Sequence, residues 1–248
     1  MTFLSIRGTV TTTDFYFMII YHVITLFPES LESYLNASII RRAQEKGLIS
    51  IKYYNPRDFA VSKKGKGKPQ TYADRRVDDR PYGGGPGMVI EALPMIKAID
   101  KAIGKKTKNT KGKKRVKIVF FSPSGAQFSN EVADAFKKYT DIVFVCGRYE
   151  GIDARIKKVF PMVDISVGPY VLTGGELAAM VMIDTITRRI KGVLGDHLSL
   201  EEKRIASPDV YTRPEVIEYK KKKYRVPKIL LSGHHAKMDE WREGRKKK

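Results

Sequence analysis

The sequence predicts an α/β protein built on a mostly parallel sheet, and three observations carry that prediction. Apolar runs rich in β-branched and aromatic residues alternate with stretches of helical period, the pattern of strand–helix–strand units. Three of these runs lead at once into a short turn: SPSG (residues 122–125) after VKIVFF, CGRYEGID (146–153) after DIVFV, and SVGPYVLTGG (166–175) after VDI. Turns of this kind gather at the carboxyl edge of a parallel sheet, where open α/β sheets bind ligands. Finally, 248 residues of which 42% are hydrophobic suffice for one large domain and a small appendage.

Taken in order, residues 1–17 do not read as an organised element. They are taken as an N-terminal extension without fixed structure, with Met18 an alternative start. The apolar run 15–27 is too short to span a bilayer and reads as a buried first strand ending at Phe27. Pro28 opens a helix with Leu31, Tyr34, Leu35, Ile39 and Ala43 on one face, and Gly47 stops it. Residues 48–54 form a second strand, closed by Asn55 and Pro56.

A long polar segment, 56–88, follows. Its lysines and arginines, with Tyr72 and Tyr82 between them, suit RNA binding by charge and stacking. Gly83, Gly85 and Gly87 mimic a dinucleotide-binding loop, but no apolar strand precedes them. Residues 91–103 form a helix with Pro94 in its first turn, where proline is tolerated. Residues 104–115 are a basic, low-complexity loop. Strand 116–121, a helix around 131–139, strand 141–145, a helix after Gly151 and strand 163–167 complete the alternation.

The helix 176–190 is apolar on nearly every side and is expected to be buried, in the core or in a dimer interface. The chain divides into a domain over 18–192, a linker over 193–212 and a small, mainly helical C-terminal domain over 213–248. That domain's helix candidate, 235–242, carries Met238 and Trp241, and residues 245–248 form a basic tail.

The formal net charge is +20, which favours a polyanionic partner, RNA or DNA. The one cysteine, Cys146, permits no intramolecular disulfide and suits a reducing compartment, so a cytoplasmic location without membrane contact is expected. His234 and His235 are adjacent, a poor spacing for a metal, and no other metal-site pattern appears. No phosphate-binding G-x-x-x-x-G-K-[ST] is present.

The set NPRDF, VDDRPYGGGPGM, SPSG, CGRYEGID, SVGPYVLTGGELAAM, YTRPEV and LLSGHH, in this order, resembles the bacterial tRNA (guanine-N1-)-methyltransferases over nearly the whole chain, about 18–241. The resemblance implies a SPOUT-type α/β domain with a deep trefoil knot in its C-terminal half. It implies a homodimer with each active site shared between subunits, and tRNA as substrate, methylated on N1 of the guanosine at position 37. The methyl donor would be S-adenosylmethionine, and magnesium (Mg2+) is associated with the family's activity.

Carried over residue by residue, the donor site takes Ser122 and Pro123 from the first turn. Gly147, Tyr149 and Glu150 come from the second. Val167, Gly168, Pro169, Tyr170, Val171, Leu172, Gly174 and Gly175 come from the third. Arg188 matches the family's functional arginine, with Arg189 as the fallback. The family's Glu-Asp-Ser-Phe stretch, whose aspartate is the proposed base, has no counterpart here. Glu202 is the best match, Glu201 the next, and Asp196 and Asp209 more distant alternatives. The C-terminal domain is also shorter than the family's.

Overall fold

The structure is a computed structural model that describes residues 18–60, 72–104, 115–194 and 209–246. The expected N-terminal extension, the lysine run 63–68, most of the basic loop 104–115, most of the linker and the last residues of the basic tail lie outside them. The chain divides into two compact units, one through Val193 and the other from Leu194.

The first unit is organised on a five-stranded sheet in the order β2-β1-β6-β5-β7, with every neighbouring pair parallel. In chain order its elements are β1 (Ile19–Ile24), α1 (Glu29–Leu35), α2 (Ser38–Glu45), β2 (Ile49–Tyr54), the two-residue strands β3 (Asp78–Asp79) and β4 (Val89–Ile90), and α3 (Ala92–Ile103). Then come β5 (Val116–Gln127), α4 (Asn130–Phe136), β6 (Asp141–Val145), α5 (Arg155–Val159), β7 (Val163–Ser166) and α6 (Glu176–Arg188).

Helices cover both faces of the sheet. Leu31, Leu35, Ala43, Phe136, Met182 and Ile186 pack with Tyr21 and Phe144 on one face. Met95, Ala98, Ile99 and Ile156 pack with Ile24, Val143 and Val145 on the other. The central strand β6 is therefore buried at all five positions, and its apolar run needs no alternation. Its first residue, Asp141, is buried too, but its Oδ1 lies 2.9 Å from His22 Nε2, and the His22 Nδ1 lies 3.1 Å from the Tyr54 hydroxyl.

Three expectations are corrected. The first helix is two: Ala37 is extended (φ −117°, ψ 156°) and Ser38 has φ 47°. The break changes the phase of the apolar face, so Ile40 rather than Ile39 is buried, and Tyr34 is left exposed, where its hydroxyl donates to Asp184. Within one chain, helix α6 is not buried all round: Leu177 and Val181 are 54% and 47% exposed, which overturns burial of that stripe in the chain's own core. And SPSG does not end its strand. It loops out of β5, whose pairing with Ile165 passes from Phe121 to Ala126, and β5 continues to Gln127. A Cβ on Gly125 would lie 2.6 Å from the Asp164 carbonyl carbon, so only glycine allows this approach.

The second unit holds an antiparallel pair, β8 (Val216–Tyr219) and β9 (Lys222–Arg225), a 3₁₀ turn over Lys228–Leu231 and the helix α7 (His235–Lys246). The helix falls where its period places it, with Met238 buried and the Trp241 ring 6.3 Å from that of Tyr211. The hairpin is an addition to the mainly helical unit expected. Its turn, Lys220-Lys221, lacks the Asn-Gly or Asp-Gly signature that marks such turns in a sequence.

Candidate active site

The parallel sheet brings the ends of β5, β6 and β7 to one edge, and a cleft of about 370 Å³ opens there. Ser122 and Pro123 line it from the first turn, Gly147, Tyr149 and Glu150 from the second, and Val167, Gly168, Tyr170, Val171, Leu172, Gly174 and Gly175 from the third. Pro169 lies between lining residues without being one of them. Phe120, Phe121, Ile165 and Ala178 add apolar cover. The lining is therefore backbone-rich on one side and apolar on the other.

The second and third turns are locked together through their backbones. The Gly175 amide donates to the Gly147 carbonyl at 3.1 Å, and Arg148 and Gly174 form an isolated antiparallel bridge. A Cβ on Gly175 would stand 2.7 Å from the Cys146 Cα. Within the third turn, the Ser166 hydroxyl donates to the Gly168 carbonyl and accepts from the Gly168 amide, while the Tyr170 hydroxyl donates to the Val167 carbonyl at 3.0 Å. Tyr149 is held at φ 58°, a conformation costing on the order of 1 kcal/mol or more outside glycine and concentrated at functional sites.

A charged network missed by the sequence reading braces this cleft. Glu176, the first residue of α6, is buried: its Oε1 accepts from the Thr25 hydroxyl at 2.7 Å, and its Oε2 lies 3.1 Å from Arg148 Nη2. The latter contact is an ion pair whose angles fall short of a hydrogen bond. The Arg148 guanidinium also lies over the Phe27 ring, 4.8 Å from its centroid, and donates to the Thr173 carbonyl at 3.4 Å. One arginine thus joins the end of β1 to both turns. The available signal was a glutamate opening an otherwise apolar helix.

The glycine run 83–87 also reaches the cleft. The Glu150 amide donates to the Met88 carbonyl at 3.0 Å, and a Cβ on Gly87 would meet the Glu150 carboxylate at 2.5 Å. The Asp153 carboxyl, beyond the second turn, is held below the usual carboxylate range by hydrogen bonds from Arg155, whose Nη2 is 2.6 Å away. Cys146 is fully buried, and burial pushes its thiol well above the ordinary range, so it is no nucleophile.

The remaining candidates lie elsewhere. Arg188 is the last residue of α6, about 18 Å along the helix from Glu176 at 1.5 Å per residue. Arg189, the fallback, is buried with its Nη2 2.7 Å from Asp134 Oδ2, which makes it a structural cation. Glu202, Glu201 and Asp196 lie outside the described residues. Asp209 is exposed and lines a cleft within the second unit, with Tyr211 and Trp241. Among the described residues no three His, Cys, Asp or Glu side chains converge as a metal site would require, and no helix is long and apolar enough to cross a membrane.

The family model described as tRNA (Guanine-1)-methyltransferase TrmD matches residues 19–248. The chain is 41% identical over 225 residues to a tRNA (guanine-N(1)-)-methyltransferase of Carboxydothermus hydrogenoformans, covering 89% of this chain and 80% of that one. It is 40% identical over 226 residues to the protein of that name from Clostridioides difficile, covering 90% of each. The chain belongs to the tRNA (guanine-1)-methyltransferase family.

Proposed function

We infer that this protein methylates N1 of guanine in tRNA, and we propose that its donor is S-adenosylmethionine and its target the guanosine at position 37. The observation that carries the reading is the convergence on one cleft of three turns, one looping out of β5 and two following β6 and β7. Its volume falls in the range of small-molecule sites, roughly 300–1,000 Å³. The fit is chemical as well. Turns whose backbone lines the cleft suit the donor and acceptor edge of an adenine, and Phe120, Phe121 and Leu172 give it apolar cover. When bound, S-adenosylmethionine supplies an electrophilic methyl group that needs little further activation.

The protein's task is then the nucleophile. Guanine N1 carries a proton at neutral pH, and its loss builds negative charge on O6. A carboxylate must take the proton, a role we assign to Glu202, with Glu201 the alternative. General base catalysis typically contributes about 10²–10⁴-fold. A fixed cation must meet O6, a role we assign to Arg188. This arginine carries the charge stabilisation at O6.

Arg188 stands at the far end of α6 from the cleft, in line with the exposed Leu177 and Val181 and the half-buried Asp184 on one helical stripe. We propose that this stripe packs against a second copy and that each cleft is completed by the partner's Arg188, giving a homodimer acting in the cytoplasm. The chain path supports a trefoil knot: after β7, at one edge of the sheet, it returns past the end of β6 at Gly147 and Arg148 before α6 packs against α1, α2 and α4.

The test is methyl transfer from labelled S-adenosylmethionine to one tRNA transcript made with guanosine or adenosine at position 37. Label in the guanosine version alone is the expected result. Label in neither, with tRNA binding retained, would refute the activity. Label in both would refute position 37.

A further inference from the structure

The β8–β9 hairpin is exposed on both faces, and no other strand pairs with it among the described residues. Its register sets Ile217 opposite Tyr224 and Tyr219 opposite Lys222, so these four side chains share one face. Tyr219 and Tyr224 are 63% and 46% exposed. Each carries a lysine over its ring: Lys220 Nζ is 5.4 Å from the centroid of Tyr219, and Lys222 Nζ is 5.6 Å from that of Tyr224. The other face carries Lys223 and Arg225.

The tip is the telling feature. Lys220 and Lys221 stand at φ 50° and 62°, the left-handed pair of a type I′ turn. That turn selects Asn-Gly or Asp-Gly, because a side chain with a Cβ is strained at positive φ. The sequence instead sets two cations there, flanked by two more lysines. Four consecutive like charges repel one another and Glu218 stands opposite Lys223 alone, so neither backbone conformation nor local electrostatics accounts for the two lysines at the tip. A polyanion accounts for both, since it neutralises the charges and the tip is the part that reaches farthest.

We propose that this hairpin is an RNA-gripping element. Lys220–Lys223 and Arg225 engage phosphates of the tRNA, and Tyr219 and Tyr224 offer stacking platforms to unpaired nucleotides beside them. Aromatic faces interleaved with cations are the arrangement that holds single-stranded nucleic acid. The inference rests on the reading of tRNA as substrate, and it names a contact that the C-terminal unit uses.

The experiment uses the full-length protein and a fluorescently labelled tRNA transcript, with affinity followed from 50 to 200 mM KCl in the absence of donor. The double variant Lys220→Asn/Lys221→Gly keeps the turn and removes its charges. We expect binding roughly 3- to 10-fold weaker, with the slope of log K against log salt shallower by about 1–2, near one unit per lost phosphate contact. The thermal midpoint should hold or rise, because Asn-Gly suits the turn.

The variant Tyr219→Ala/Tyr224→Ala should weaken tRNA binding by roughly 5-fold or more, the lower end for loss of a stacked base. It should leave the affinity for a fully paired RNA duplex unchanged. Unchanged affinity and slope in the lysine variant would overturn the proposal. So would a change of oligomeric state with tRNA binding intact, which would make the hairpin a protein contact. No turnover is involved, so failure of methyl transfer with these binding results obtained would refute the catalytic reading and leave this one standing.

Discussion

The cleft and the β8–β9 hairpin solve the problem of ligand contact in opposite ways. In the cleft and the turn that feeds it, glycines stand where a Cβ would collide with backbone: 2.7 Å from the Cys146 Cα at Gly175, which lines the cleft, and 2.6 Å from the Asp164 carbonyl carbon at Gly125, beside it. In the hairpin, lysines stand at positive φ where glycine would relax the turn and no neighbour crowds the site. The first region uses small residues so that backbone groups become the binding surface. The second tolerates backbone strain so that side chains do. A rigid small-molecule site needs fixed atoms within tenths of an ångström. A polyelectrolyte needs only reachable charge.

The largest effect is expected where the cleft depends on a residue it does not hold. Arg188→Ala should lower kcat about 10²–10³-fold, the loss typical of a removed charge-stabilising donor. Affinity for S-adenosylmethionine, measured by calorimetry, should stay the same. Loss of donor affinity would place Arg188 in the donor site itself and undo the division of labour.

Next is Gly175→Ala, which forces apart two turns joined backbone to backbone. Overpacking of this kind costs about 1–3 kcal/mol. Urea unfolding should show it, and donor binding should weaken in parallel. A variant of wild-type stability and affinity would mean that the cleft adapts and is not built on close approach.

Arg148→Ala removes the countercharge from buried Glu176 and unties the turns from Phe27 and Thr173. A loss of about 1–3 kcal/mol is expected for leaving a buried polar group short of a partner. The double variant Arg148→Ala/Glu176→Ala should be less destabilised than the two single changes summed, and strict additivity would deny the pairing.

The smallest effect belongs to exposed charge. The Asp134 carboxyl is held down to about 2, first by the hydrogen bond from Arg189 and further by Lys137, against partial burial, which raises it. A depressed folded pKa gives stability present above the unfolded value of about 3.8 and lost as pH falls from about 4 towards 2. Its side chain is 41% exposed, so solvent screening limits the contribution to below about 1 kcal/mol. Asp134→Asn should lower the neutral plateau by less than about 1 kcal/mol, flatten the acid limb between pH 4 and 2, and leave stability below pH 2 nearly unchanged. A steeper acid limb would contradict the sign.

Much of the cleft was legible beforehand because its residues lie in three short runs, two directly after an apolar strand and one looping out of β5 after its apolar half. Once strands are parallel, their following turns must share an edge, so Ser122, Gly147 and Gly168 meet without any detailed knowledge of packing. The network of Thr25, Phe27, Arg148, Thr173 and Glu176 was not legible. Its members are up to 151 positions apart, and nothing local in the sequence marks them as partners. The two-part first helix was missed because the apolar period continues plausibly through Asn36 and Ala37. The hairpin was missed because its turn residues contradict the usual turn chemistry, one reason to suspect function there.

By itself the sequence determined the α/β class, the edge on which the cleft lies and most of its lining, because strand period, glycine turns and chain order are local or topological properties. Its ordered motifs also resembled one methyltransferase family. The tertiary structure alone decided that SPSG loops out of a continuing strand, that Arg148 and Glu176 brace the cleft, that Arg189 is committed to Asp134, and that Arg188 stands about 18 Å along its helix from Glu176. These outcomes depend on which distant residues share a face and how closely two backbones approach. Such quantities are set by the packing of whole elements, and no window of sequence contains them.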